Sequence, residues 1–335
     1  MQGKMGKILT LSASSISSFQ TCRKRYEYEK ILKIFPVERP SALDFGTAVH
    51  RGLERIFRGI KEYQETDPRP DMPDFCSHVL DDAILGIRAV DLSEQDRIKA
   101  EVLVSMYAER YFPGDALFMN IRVLDVEHVM RQPVIDPDGR RARRYRCTGI
   151  ADAVVECADG VTAVMEHKTV SALTEQYCSR VEIDLQVLMY CYMLSMELGK
   201  PVRRVIYDII VKPRHEMSAG ETDEEFEARR AAAKCPERCR RKEAETADGF
   251  RKRLEEAVTD ASFMRHVVDI DGETMEDFRK DFWEMVHDMG TCRRFYRQTC
   301  SCMKFGACPY MDLCRNHGRT DGLDGQYMTD KGERP

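Results

Sequence analysis

Asp152 closes the segment Gly149-Ile-Ala-Asp152, and Glu166-His-Lys168 follows fourteen residues later. Two carboxylates and an ammonium in one place make a site for a divalent cation. Hard oxygen ligands favour Mg²⁺ or Mn²⁺, which activates water and stabilises charge on a phosphate, while a nearby lysine positions the water or neutralises the transition state. That is chemistry for cutting a phosphodiester. The same Glu-x-Lys spacing also suits a solvated strand edge with a cross-strand ion pair, so the elements that carry these residues must decide between the two.

The run Tyr145 to Ala151 reads as a strand leading into Asp152, and the β-rich Val161-Thr-Ala-Val-Met165 leads into Glu166. Asp159-Gly160 between them is a hairpin-turn signal that would bring Asp152 and Glu166 close across a sheet. A period of two places Glu166 and Lys168 on one face and turns His167 away. Further strands are expected at 119–130, 144–156, 161–169 and 203–212, the last containing the apolar run Val205 to Val211. A helix over 182–198 would put Gln186 and Tyr190, four apart, on one face. Another starts near Phe45-Gly46 and continues through Leu53, Ile56 and Phe57, with His50 toward its core side. Residues 74–112 read as two helices, and 216–262 as a charged, solvated helical hairpin. The fold class is α/β, a mixed central sheet flanked by helices.

Composition narrows the function classes. The chain has 335 residues, 43% of them hydrophobic, enough for a sizeable core. Net charge of −5 argues against a non-specific nucleic-acid coat but allows a local DNA groove. Arg140 to Arg146 and Arg23-Lys-Arg25 are the basic runs that could hold phosphates, and Phe19, Tyr26 and Tyr28 the aromatics that could stack bases or fill a core. No segment approaches a membrane span and no signal-peptide core is present, so a soluble, cytoplasmic protein in a reducing compartment is expected, prokaryotic or viral in a host cytoplasm.

Gly46-Thr-Ala-Val-His50, Gly149-Ile-Ala-Asp152, Glu166-His-Lys168 and Gln186-Val-Leu-Met-Tyr190, in that order, resemble the RecB-type branch of the PD-(D/E)xK nuclease superfamily. The opening Leu11 to Tyr26 resembles it too. The resemblance implies that His50, Asp152 and Glu166 ligate metal with the carbonyl of His167, that Lys168 is the catalytic lysine, and that Gln186 and Tyr190 line the site. It implies a restriction-endonuclease-like core in αβββαβ order with helical insertions. One elaborated nuclease domain is expected over 1–335: an N-terminal helical region at 11–60 with Cys22 and His50, an insertion at 74–112, the catalytic core at 119–212, a charged helical region at 216–290 and a cysteine cluster at 291–320. Glu in front of His-Lys departs from the commoner Asp.

Thirteen cysteines are present. Cys76, Cys147, Cys157, Cys178 and Cys191 lie in apolar or mixed runs, where a small buried hydrophobe is the expected role. Cys300, Cys302, Cys308 and Cys314 instead crowd four thiols into fifteen residues, which fits zinc or an iron-sulfur cluster. Their spacing resembles the C-terminal cysteines of iron-sulfur nucleases of the same branch, AddB-like and CRISPR-adaptation enzymes among them. That implies a [4Fe-4S] cluster on Cys22, Cys302, Cys308 and Cys314, stapling the chain ends together. A local zinc site using Cys300 is the rival. Cys235-x3-Cys239 has too few ligands for either.

The resulting expectation is an Mg²⁺- or Mn²⁺-dependent deoxyribonuclease, an exonuclease on single-stranded DNA ends rather than an endonuclease. A DNA-binding or assembly subunit beside a helicase, recombinase or integrase is the second reading, and a zinc-dependent binding protein the third. The chain has no Gly-x4-Gly-Lys-Ser/Thr motif, so any ATP-driven unwinding would come from a partner.

Overall fold

The computed structural model describes residues 8–37, 41–111, 121–304, 306–323 and 325–329. In chain order the elements are β1 (Leu9–Leu11), α1 (Ala13–Thr21), α2 (Arg23–Tyr26), β2 (Ile34–Pro36), α3 (Ser41–Glu65), α4 (Met72–Arg88), α5 (Glu94–Tyr111), β3 (Ile121–Ile135), β4 (Arg141–Cys157) and β5 (Thr162–Val170). They continue with α6 (Glu175–Ser179), α7 (Leu185–Leu198), β6 (Arg204–Val211), α8 (Asp223–Ala232), α9 (Ala247–Ala257), β7 (Phe263–Asp269), α10 (Gly272–Thr291), α11 (Met311–Arg315) and β8 (Tyr327–Thr329). The fold is the expected α/β class, with the sequence α3, β3, β4, β5, α7, β6 forming the αβββαβ core. Met119 and Asn120, taken as the start of β3, lie outside the described residues.

The mixed sheet runs β1-β4-β5-β6-β7, with β3 also on β4. β3 and β4 form a long antiparallel hairpin and β4 pairs antiparallel with β5; β5 and β6 are parallel, joined by α7 as crossover. Since β3 occupies one edge of β4, β1 and β5 share the other: β1 pairs with Tyr145–Cys147 and β5 with Ala153–Glu156. The edge of β4 between them, residues 148–152, has no ladder partner among the described residues. Asp152 stands at the end of this gap.

Each face of the sheet carries its own core. α3, α4, α5 and α9 cover one face through Phe57, Leu103, Tyr107, Phe250 and their neighbours. α1, α7 and α10 cover the other through Ile16, Met189, Phe282 and Val286. Alternation along β5 sends Ala163 and Met165 to the first core and Val164 to the second. α7 is apolar nearly all round because it lies between the sheet and α10, and Asp184 caps its start by accepting from the backbone N–H groups of Gln186 and Val187.

The expected helical stretch 216–290 contains a strand. β7 pairs antiparallel with β6 over Arg204–Ile210 and forms the sheet's far edge. Met264-Arg-His-Val-Val-Asp269 mixes polar and apolar residues as an edge strand does, which hides it in a charged region. α8 buries no residue, as a solvated helix should, whereas α9 buries Phe250 and Leu254 against the core. A third small cluster of Tyr28, Ile34, Tyr310 and Leu313, with the β2–β8 pair, joins the two ends of the chain.

Candidate active site and a cysteine-lined cavity

The ladder between β4 and β5 stops at the pair Ala153 and Met165. One residue further on the strands part, and Asp152 reaches into the opening, where its Oδ2 accepts the backbone N–H of His167 at 2.7 Å. His50, from the middle of α3, places Nδ1 3.4 Å from Asp152 Oδ1. Glu166 and Lys168 point together to the α7 side, with Lys168 Nζ 2.5 Å from Glu166 Oε1 and 2.9 Å from Gln186 Oε1. Gln186 Nε2 donates to Glu166 Oε1 at 2.8 Å and contacts the Tyr190 hydroxyl at 2.9 Å. His50, Asp152, Glu166, His167, Lys168, Gln186 and Tyr190 thus form one constellation.

Gly149 lets α7 come this close. A Cβ there would lie 2.5 Å from the Tyr190 ring and 2.8 Å from the Met193 methyl. The glycine of the Gly-x-x-Asp motif therefore serves packing, three residues ahead of the aspartate it accompanies.

The two carboxylates are driven apart electrostatically. Burial and the neighbouring Asp152 charge push Glu166 up to about 7, against the pull of Lys168 and His50. Asp152 is also buried, but the His50 hydrogen bond and the His167 interactions hold it below the usual carboxylate range. Lys168 stays protonated: burial disfavours its charge, but Glu166 more than compensates. Burial likewise opposes charge on His50, and Asp152 outweighs it.

Glu166 Oε2 is buried and has no hydrogen-bond partner among the described residues. A buried anionic oxygen without a donor is costly, and a hard cation beside Asp152 would satisfy it. The donor set of two carboxylates, a histidine and a backbone carbonyl fits Mg²⁺ or Mn²⁺. Among the described residues, no three His, Cys, Asp or Glu side chains stand ready-grouped as a metal site. Lys168 and Gln186 occupy the other Glu166 oxygen instead.

An adjoining pocket of about 540 Å³ is lined by His50, Arg51, Glu54, Glu127, Ile150 and Asp152 among others. Glu54 and Glu127 were not singled out in the sequence. Glu54 lies four residues after His50 on the same helix face, a readable signal. Glu127 gives no such signal: it sits in the left-handed region at φ 52° on β3, and burial with the Asp152 and Glu54 charges pushes its carboxyl up.

The aromatic and basic residues of the first helices are engaged within the protein. Phe19, Tyr26 and Tyr28 are buried, and Phe19 and Tyr26 pack edge to face at 5.3 Å, so they are core residues and not a stacking platform. Arg23, Lys24 and Arg25 are paired with Asp288, Glu27 and Glu29. Arg141, Arg143 and Arg144 on the β3–β4 hairpin arm are exposed.

Cys22, Cys302, Cys308 and Cys314 line a single cavity of about 210 Å³, with Arg25 and Arg297 beside them. Cys300 is exposed, its sulfur beside Ser301. Burial and neighbouring thiols push Cys308 and Cys314 up, and Arg25 and Arg297 partly offset this. The four thiols share one cavity without closing into a metal-ready group, and thiolates there, next to compensating cations, are residues that could hold a soft metal. Cys147 and Cys191 are buried as expected, Cys76, Cys157 and Cys178 partly so, and all thirteen cysteines are unpaired thiols. No helix among the described residues is long and apolar enough to cross a membrane.

No curated protein matches the chain. Among solved structures, a provisionally named exonuclease from Eubacterium rectale is similar at TM-score 0.42 and 11% identity, covering 94% of this chain and 93% of that one. A protein named SSO0001 is similar at TM-score 0.26 and 16% identity, covering 74% and 73%. Neither likeness carries the assignment. A family model does, matching residues 10–315 and so nearly the whole described fold: the chain belongs to the PD-(D/E)XK nuclease superfamily.

Proposed function

We propose that the protein is a divalent-cation-dependent deoxyribonuclease of the RecB-type branch, an exonuclease on single-stranded DNA ends. The observation that carries this reading is Glu166: buried, lacking a partner for Oε2 among the described residues, beside ionised Asp152 and 2.5 Å from Lys168. His50, Asp152, Glu166 and the His167 carbonyl would hold Mg²⁺ or Mn²⁺, which when bound supplies Lewis-acid stabilisation of the phosphate and a more acidic water. Lys168 orients the attacking water or neutralises charge on the phosphate. Gln186 holds the lysine and Glu166 in register, and Tyr190 fixes Gln186.

Cys22, Cys302, Cys308 and Cys314 are assigned to a [4Fe-4S] cluster that ties the chain ends and supports the nuclease core without taking part in chemistry. Zinc is the alternative occupant of the same thiols. The proposed setting is the cytoplasm, with a helicase, recombinase or integrase as possible partner. The domain boundaries given above belong to the same proposal.

The test is anaerobic purification with iron analysis, then Mn²⁺-dependent cleavage of end-labelled single-stranded DNA by wild type and Lys168→Ala. The expected result is iron-containing protein that shortens DNA from its ends, with the variant reduced at least about a hundredfold. Intact DNA with both proteins removes the enzyme reading and leaves a DNA-binding or assembly subunit. Zinc in active protein removes the cluster alone.

A further inference from the structure

The face of β5 opposite Glu166 and Lys168 carries a buried polar row that the proposed chemistry does not use. His167 on β5, Asp208 on β6 and Arg265 on β7 are register partners across three neighbouring strands. His167 Nδ1 lies 3.1 Å from Asp208 Oδ2, and Arg265 Nε donates to Asp208 Oδ1 at 3.1 Å. From α5, the Tyr107 hydroxyl donates to Asp208 Oδ2 at 2.5 Å and accepts from Arg265 Nη2 at 2.6 Å. Arg265 also lies over the Tyr111 ring, 3.9 Å from its centroid. Asp208 is 1% exposed and His167 3%.

We infer that Asp208, braced by Tyr107 and Arg265, is a positioning residue that locks the His167 ring and thereby sets the two peptides that flank His167, one carrying the N–H to Asp152 and the other the carbonyl assigned to the cation. This rests on the nuclease reading above. The His167 N–H, in the Glu166–His167 peptide, holds Asp152 Oδ2 at 2.7 Å, and the carbonyl assigned to the cation lies in the next peptide, so both hinge on the His167 Cα that the ring anchors. At His167 the strand is paired on its β6 edge only, because the β4 ladder ends at Ala153 and Met165. The ring anchor adds a second constraint to that one-sided ladder, with Phe57 packed against the imidazole at 4.9 Å between centroids.

Stability alone is a poor reason for the network. Buried ion pairs are often replaceable by apolar residues at no cost, and this one leaves Arg265 Nη1 buried without a partner among the described residues. Groups behind a metal ligand, by contrast, commonly control affinity or activity by ten- to a hundredfold.

Asp208→Asn and Tyr107→Phe test the inference, the second removing one hydroxyl while keeping the ring packing. Mn²⁺ binding is measured without DNA by electron paramagnetic resonance, and kcat and KM for single-stranded DNA are measured below the melting temperature of each variant. The expected result for Asp208→Asn is a roughly tenfold or larger loss of Mn²⁺ affinity together with a fall in kcat, at unchanged KM for DNA. Tyr107→Phe should lose less in the same direction, and it carries the test if Asp208→Asn does not fold. Variants that melt earlier but keep wild-type Mn²⁺ affinity and kcat overturn the inference and make the network structural. Wild type that neither binds Mn²⁺ nor cuts overturns the nuclease reading, and this inference with it.

Discussion

Glu166→Gln probes the electrostatics of the site without any DNA. Burial and the facing Asp152 push Glu166 from an ordinary 4.5 to about 7. In cation-free protein the fold therefore holds a proton that the unfolded chain releases, so this contribution to stability is fully present below pH 4.5 and is lost as pH rises toward about 7. At about 1.4 kcal/mol per pH unit the displacement costs the fold roughly 3 kcal/mol at pH 8 and under about 1 kcal/mol at pH 5. Glutamine resembles the protonated acid and removes the dependence. With an unfolding entropy of about 2.1 cal/mol/K per residue, roughly 3 kcal/mol in a chain of this length is about 4 °C in Tm. Scanning calorimetry in EDTA should find the variant melting about 4 °C above wild type at pH 8, with the gap closing toward pH 5. Mn²⁺ at pH 8 should then raise wild type far more than the variant, because the cation takes the place of the proton on an ionised Glu166. A gap of equal size at both pH values, or a wild type whose Tm ignores Mn²⁺, refutes this electrostatic account.

Gly149→Ala places a Cβ 2.5 Å from the Tyr190 ring, so chemical denaturation should register a loss of about 1–3 kcal/mol, with kcat falling as α7 and Gln186 are pushed from Glu166. A variant as stable as wild type would mean the ring simply turns aside. Cys302→Ser should lose bound metal and, if iron is the occupant, the cluster's visible absorption, whereas Cys300→Ser should keep both, because only Cys302 lines the cavity. Equal metal content in the two variants would sink that ligand assignment.

The sequence by itself determined the parts governed by local periodicity and turn chemistry. Alternation along Thr162–Val170 put Glu166 and Lys168 on one face, Asp159-Gly160 marked the turn before it, and spacing of four put Gln186 and Tyr190 together on α7. The apolar run Val205 to Val211 marked β6, and its one charged residue, Asp208, was already visible there. Tertiary structure decided what depends on contacts between distant segments. The gap along β4 exists only because β1 and β5 share one of its edges, and no local pattern encodes which strand pairs with which. β7 was hidden because an edge strand in a charged region lacks a continuous apolar run. Phe19, Tyr26 and Tyr28 could have stacked bases until packing buried them, and Cys302 was separated from Cys300 only when the chain ends met around one cavity. Asp208 became the partner of His167, and Arg265 that of Asp208, through strand register, which is fixed by the whole sheet and not by any one segment.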